Sequence, residues 1–268
     1  ILKLTQQPDI ISFAGGMPAS DTFPVDTLKD ISEKVFTKYG ASILQYGTSE
    51  GFLPLREFVV NWMNTKGVKA ELDEVLITSG SQQGIDLLAK TFIDQGDGVI
   101  IENPTYLAAI QIFTLYGAHF TFGEKDQSGF LPASLNTLEA TNKNKLLYLV
   151  PSFQNPTGIS MTKERRQDLA DQLEEHNLVL IEDDPYGDLR YSGEPLNPVK
   201  SFDHQNRIVY LGSFSKNIAP GLRLGYAIGP KEIIRKMVIG KQSADVHSCN
   251  LSQAMIYEFC AQGLLEPH

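Results

Sequence analysis

The sequence predicts an α/β fold, a mainly parallel central sheet flanked by helices. Three observations carry this. Short, continuously apolar runs recur along the chain, as in strands buried on both faces. Amphipathic helical stretches separate them, as parallel neighbours require. The composition is that of a globular protein, 42% hydrophobic and 21% charged over 268 residues, long enough for a sizeable core.

The elements follow in order. Residues 1–24 read as a loop-rich arm containing Gly15-Gly16-Met17-Pro18, and residues 25–268 as the domain it borders. A helix follows the arm, then Gln45-Tyr46-Gly47, then a second helix from Pro54, where proline suits the first turn. Phe58, Val59 and Trp62 fall on that helix's core face. Strands are predicted over residues 75–78, 99–102, 146–150, 178–182, 208–211 and 225–228. Helices are predicted over 82–92, 107–116, 163–175 and 231–241, the third capped by Thr162 and exposing Glu174 and Glu175. A helix over 251–264 comes last, and the sequence stops at Glu266-Pro267-His268. No repeat or low-complexity segment appears.

Composition narrows the function classes. The net charge is −9, the pI about 5.1, and no run of Lys and Arg forms a basic face, which argues against a nucleic-acid partner. Cys249 and Cys260 have no CxxC pattern, so packing is expected rather than a disulfide framework or zinc site. The five histidines are scattered without metal spacing, and no metal is expected. No apolar run approaches membrane-spanning length, and Ile1-Leu2-Lys3-Leu4 lacks the pattern of a signal peptide. The expectation is a soluble cytoplasmic protein.

Chemistry concentrates at predicted strand ends, where open α/β sheets collect ligands. Ser79-Gly80-Ser81-Gln82 turns from a strand into a helix, and free N–H groups at a helix start suit a phosphate. Read alone, it is equally a strand–helix turn capped by serine. Asp183, in Asp183-Asp184-Pro185-Tyr186 just past a strand, suits a protonated ring nitrogen, or caps a loop. Asn155, in Asn155-Pro156-Thr157-Gly158, and Tyr186 can donate to a ring oxygen; the former is also a common turn composition. Lys216, in Ser213-Phe214-Ser215-Lys216, can form an imine and move protons, although most lone lysines are solvated charges. Arg223 can hold a phosphate bidentately. Tyr106 can stack on a ring or simply pack. The coincidence decides: four strand ends carry complementary groups, the set a pyridoxal phosphate site needs.

As an ordered set these motifs resemble the class I and II pyridoxal-phosphate-dependent aminotransferases of fold type I, in style the 2-aminoadipate, kynurenine and aromatic amino-acid aminotransferases. The motifs are Ser-Gly-Ser-Gln-Gln-Gly at 79–84, Asn-Pro-Thr-Tyr at 103–106, Gln-Asn-Pro-Thr-Gly at 154–158, Glu-Asp-Asp-Pro-Tyr at 182–186, Gly-Ser-Phe-Ser-Lys at 212–216 and Pro-Gly-Leu-Arg-Leu-Gly at 220–225. The resemblance covers residues 10–253 and implies the large domain of that fold. It implies that Lys216 is the Schiff-base lysine and acid/base, with Asp183 and Tyr186 completing the catalytic set. Asp183 would pair with the pyridine nitrogen, and Asn155 and Tyr186 with the ring oxygen. Ser81, Gln82, Ser213, Ser215 and Arg223 would hold the phosphate, and Tyr106 would stack on the ring. Gly16 and Asn155 would line the substrate pocket. Tyr46 resembles a tyrosine that reaches the neighbouring subunit's phosphate, which implies a homodimer with shared sites.

The resemblance also implies an activity: transfer of an amino group from an L-amino acid of the 2-aminoadipate, aromatic or branched type to a 2-oxo acid such as 2-oxoglutarate. Family members continue into a small C-terminal domain whose arginine binds the substrate α-carboxylate. This sequence ends before it and starts at Ile1 without methionine, so a fragment of a longer enzyme is expected, with poor turnover alone. Two alternatives remain open. One is the aminotransferase-like sensing domain of a winged-helix transcription regulator, although residues 1–268 contain no winged helix. The other is a different pyridoxal reaction, such as β-elimination or decarboxylation, which cofactor residues do not distinguish.

Overall fold

The computed structural model describes residues 9, 16–138 and 143–268. Gly15, the Ile1 start and the rest of the arm before Gly16, Asp9 excepted, lie outside the described residues. Among the described residues the central sheet has seven strands: β1 (Val75–Thr78), β2 (Gly98–Ile101), β3 (His119–Phe122), β6 (Asn144–Leu149), β7 (Val179–Asp184), β8 (Ile208–Ser213) and β9 (Gly225–Ile228). Their order is β1-β9-β8-β7-β6-β2-β3. A separate ribbon pairs β4 (Lys125–Asp126) with β5 (Gly129–Phe130).

The sheet is parallel except at β9, which runs antiparallel to both β1 and β8. That reversal matters for the site. Gly225, the first residue of β9, is the register partner of Thr78 at the end of β1 and of Ser213 at the end of β8. One antiparallel strand therefore delivers its leading residues to the rim where its neighbours finish. The fit is close: a Cβ on Gly225 would lie 2.7 Å from both the Gly212 carbonyl oxygen and the Ser81 nitrogen.

Eight α-helices cover the sheet among the described residues: α1 (Val25–Tyr39), α2 (Leu53–Thr65), α3 (Ser81–Phe92), α4 (Leu107–Leu115), α5 (Leu135–Leu138), α6 (Lys163–Glu174), α7 (Lys231–Ala244) and α8 (Asn250–Ala261). Strand alternation sends neighbouring side chains to opposite faces. On β7, Ile181 joins a core with α3, α4 and α7 residues such as Leu87, Phe113 and Met237, while Leu180 packs with Leu169 and Leu173 of α6. A third core joins Val75 and Tyr226 to α1, α2 and α8 through Ile31, Val59 and Phe259. Burial on both faces is why these strands read as unbroken apolar runs.

The predicted bounds hold for β1 and β9 and lie within two residues elsewhere in the sheet. The difference with a consequence is β7, which continues to Asp184, so Asp183 lies inside its strand and not past it. β3 was not predicted: it is an edge strand whose end residues, His119 and Phe122, are exposed, so it lacks an apolar run. Thr162 caps α6 as expected, its Oγ1 accepting from the Arg165 N–H at 3.3 Å, and Glu174 and Glu175 are exposed. No serine side chain caps α3; its N-cap is Gly80. Val59 is buried, whereas Phe58 and Trp62 are half-buried and stack on each other at 6.2 Å. Cys260 packs in α8 as expected, but Cys249 is exposed as that helix's N-cap residue, so packing does not explain it. Among the described residues no helix is long and apolar enough to cross a membrane.

Candidate active site

At the meeting of β1, β8 and β9, backbone geometry builds a cationic nest. Gly80 has φ 81°, a conformation that glycine adopts without strain, and a Cβ there would lie 2.6 Å from Arg223 Nη2. The guanidinium thus lies directly against the turn into α3. Ser81 and Gln82 begin that helix, where N–H groups lack intrahelical acceptors and the dipole is positive. From the end of β8, Ser213 Oγ accepts from the Ser215 N–H at 3.1 Å. Arg223, itself left-handed at φ 52°, donates through Nη1 to Ser215 Oγ at 3.5 Å and to the Pro220 carbonyl at 3.3 Å. Ser81, Gln82, Ser213, Ser215 and Arg223 line one cavity of about 160 Å³.

A buried network braces this turn from behind. Lys241 of α7 is fully buried, and its Nζ donates to Gln83 Oε1 at 2.6 Å, to both Asp245 oxygens at 2.9 Å and to Ser248 Oγ at 3.0 Å. Ser79 joins through its N–H to Gln83 Oε1 at 2.8 Å and its hydroxyl to Asp245 Oδ2 at 3.0 Å. The charge is buried because it is paired and fully hydrogen-bonded.

The opposite wall of the cavity carries Asp183, Tyr106, Asn155 and Tyr186. Asp183 is 3% exposed. Its Oδ2 accepts from the Tyr148 hydroxyl at 2.7 Å, and its Oδ1 has no partner among the described residues. Burial pushes its carboxyl up to about 7, against the pull of the Tyr148 hydrogen bond. The flanking acids serve the scaffold. Glu182 accepts from the N–H groups of Val199 and Lys200 at 2.7 and 2.8 Å, and Asp184 from the Gly187 N–H at 2.9 Å and the Tyr210 hydroxyl at 3.2 Å. Asn155 Nδ2 donates to the Tyr186 hydroxyl at 3.4 Å.

The segment bearing Asn155 is fixed by groups that sequence reasoning missed. Gln154 Nε2 donates to the Pro104 carbonyl at 2.8 Å, tying this turn to the one bearing Tyr106. Arg166 of α6, fully buried, donates to the carbonyls of Met161, Pro151 and Asn197 at 3.1, 3.0 and 3.2 Å and to Ser152 Oγ at 3.0 Å. In sequence it sits in a charged helical stretch and gives no sign of burial.

Lys216 completes the cavity. Its Nζ donates to the Gly16 carbonyl at 2.6 Å and lies 6.0 Å from the centre of the Tyr186 ring. Burial, followed by the Arg223 charge, holds its ammonium below the usual lysine range, which favours the neutral, nucleophilic amine. Gly16 lines a larger neighbouring cavity, about 840 Å³, which shares Tyr186 and Lys216 with the first. Tyr46 lines neither; it is 81% exposed and meets His247 edge-on at 5.9 Å.

The family model for class I and II aminotransferases matches residues 8–262. The chain belongs to that family. Aminotransferase relatives match it along its whole length. An aromatic-amino-acid aminotransferase of Thermococcus litoralis is 41% identical over 274 residues, covering 100% of this chain and 66% of that protein. A 2-aminoadipate transaminase of Thermus thermophilus is 41% identical over 271 residues, covering 99% and 66%. The crystal structure of the kynurenine aminotransferase of Pyrococcus horikoshii superposes with a TM-score of 0.94 at 42% identity, covering 100% of this chain and 67% of that one. The chain thus spans about 66% of the length of the curated relatives it matches. The regulator alternative draws less support: an HTH-type transcriptional regulator of Bacillus subtilis, YdfD, is 32% identical over 260 residues, which cover 54% of it.

Proposed function

We propose that this chain holds pyridoxal 5'-phosphate and serves transamination from an L-amino acid, of the 2-aminoadipate, aromatic or branched type, to a 2-oxo acid such as 2-oxoglutarate. One observation carries the reading. Asp183, whose buried Oδ1 has no hydrogen-bond partner among the described residues, lines the same cavity as Arg223 and Lys216. A carboxylate oxygen without a donor suits a protonated ring nitrogen, and the nest at Gly80 and Arg223 suits a phosphate. The residues present therefore fit the cofactor.

When bound, the cofactor supplies an electron sink that lets an amino acid's α-carbon give up its proton. The chain does the rest. Arg223, Ser213, Ser215, Ser81 and Gln82 would anchor the phosphate. Asp183, drawn to its ionised form by a cationic partner, would keep the proton on the ring nitrogen. Asn155 and Tyr186 would donate to the ring oxygen, and Tyr106 would cover one ring face. Lys216 would bond the cofactor through its amine and, once freed, hold the α-carbon proton and pass it on. The lowered basicity of that amine suits both tasks.

The same reading takes residues 25–268 as the cofactor-binding domain and residues 1–24 as an arm lining the site, supported by the Gly16–Lys216 hydrogen bond. The exposure of Tyr46 and Leu44, 81% and 71%, supports burial against a second copy in a homodimer with shared sites. A cytoplasmic place in amino-acid metabolism belongs to this proposal.

The test is the visible absorbance of the cofactor-treated protein before and after excess glutamate. A cofactor band that shifts to that of the aminated form supports transamination. A band that stays put favours the sensing-domain alternative. The absence of any band, with Lys216→Ala indistinguishable, would sink the assignment.

A further inference from the structure

Among the described residues Arg190 is a cation without an anionic partner, in a cavity that Lys216 also lines. It lies six residues past the end of β7 and four after Tyr186, and its Cζ lies 4.9 Å from the centre of the Phe153 ring, two residues before Asn155. Its guanidinium therefore rests on the two segments that supply the Asn155–Tyr186 pair. Its Nε is buried with no acceptor, and among the described residues it has neither a hydrogen bond nor an ion pair. Arg190 lines the larger cavity together with Lys216, Tyr186 and Gly16.

Among the described residues the acids lining this cavity do not meet this charge. Asp188, on the same cavity wall, is taken by Lys66 and accepts from Asn217 Nδ2 at 3.4 Å. Glu266 also lines the cavity but is exposed and makes no ion pair with Arg190. A half-buried guanidinium whose Nε is shut off from solvent with no acceptor is costly unless something pairs with it. A guanidinium resting over an aromatic ring loses orientational freedom, and its fork matches a carboxylate.

We propose that Arg190 receives the side-chain carboxylate of the substrate, so that acidic amino acids and their 2-oxo acids, molecules with two carboxylates, are the preferred class. This rests on the transaminase reading above and deepens it. The reacting α-carbon and its own carboxylate belong beside Lys216. The cavity of about 840 Å³ continues from there, and what it holds is the far end of the substrate. Arg190 here is a specificity residue, remote from the proton transfer.

The test uses unreactive ligands on the cofactor-loaded full-length protein. Glutarate carries two carboxylates, and pentanoate is its counterpart with one. Isothermal titration of the wild type should show glutarate binding roughly tenfold or more tighter than pentanoate, as a charge-assisted carboxylate pair implies. Arg190→Gln should erase most of that preference while changing pentanoate affinity less than about twofold. Arg190→Lys, which keeps the charge without the fork, should retain part of it, and gives the reading if the glutamine variant does not fold. Equal weakening of both acids would place Arg190 at the α-carboxylate or in the scaffold and overturn the proposal. So would a wild type without preference. A wild type that shows no cofactor band fails the transaminase reading itself, an outcome distinct from a loaded protein indifferent to the second carboxylate.

Discussion

Tyr148 on β6 donates its hydroxyl to Asp183 Oδ2 at 2.7 Å across adjacent strands and leaves Oδ1 of the same carboxylate without a hydrogen-bond partner among the described residues. One oxygen is thereby oriented and the other kept in reserve. Tyr148→Phe should weaken cofactor binding by about tenfold, because a carboxylate held by one charge-assisted hydrogen bond fewer is both misoriented and harder to ionise. Titrating cofactor into the two proteins measures this; equal affinity would show that β7 alone orients Asp183.

Three buried carboxyls should set the pH dependence of the cofactor-free protein. Burial raises Asp183, Glu182 and Glu102 each to about 7. Their unfolded values lie near 4. Between these limits the folded state binds more protons than the unfolded state, so stability falls as pH rises through the window and is recovered as pH falls from about 8 toward 5. Carboxyls held low, such as Asp97 and Asp126, act with the opposite sign but only below about pH 4. The urea midpoint should therefore be higher at pH 5.5 than at pH 8, and Asp183→Asn should reduce the difference. A midpoint that climbs with pH across this range would contradict the assignment.

Gly80→Ala should separate anion binding from folding. The added methyl lies within 2.6 Å of Arg223 Nη2, and the backbone sits at φ 81°. The strain should lower stability by about 1–2 kcal/mol, while displacement of the guanidinium should weaken phosphate binding tenfold or more. Calorimetry with inorganic phosphate, alongside urea unfolding, reads the two effects separately. Unchanged phosphate affinity would mean that Arg223 is not the anchor.

Arg166→Met should cost more than about 3 kcal/mol of stability, since it strands carbonyls at Pro151, Met161 and Asn197 in the interior. Glu182 should rise further, because the Arg166 charge is the main influence holding it down. Hydrogen exchange over residues 151–161 should quicken before the rest of the sheet responds. A fully protected segment in the variant would show that Gln154 and its contact with Pro104 suffice.

Much of the sheet and most of the cavity lining were legible because most lining residues sit at or near the end of a buried apolar run. Ser81, Asn155 and Lys216 could be placed at strand ends by locating the strands alone. Asp183 falls one residue past the predicted strand but inside β7 for a physical reason. Acidic residues read as the end of a strand, yet here Tyr148 and Tyr210 satisfy them inside β7. The bracing groups were illegible. Tyr148 looks like strand filling and Arg166 like a solvated helix charge, and their roles arise from contacts with residues remote in sequence. Lys241 reaches Gln83 across 158 positions, a relation that no local pattern encodes.

Among the described residues β9 is the last strand in sequence but lies second in the sheet, and it is the only neighbour of β1. During synthesis β1 emerges early and waits through nearly every other strand before its partner exists, an unpaired edge for most of that time. Gly80 and Arg223 meet only when that final strand inserts between two that are already in place. Capture of an anion is therefore confined to the completed domain. A nascent chain halted before Gly225 would carry most of the site's residues and still be blind to phosphate.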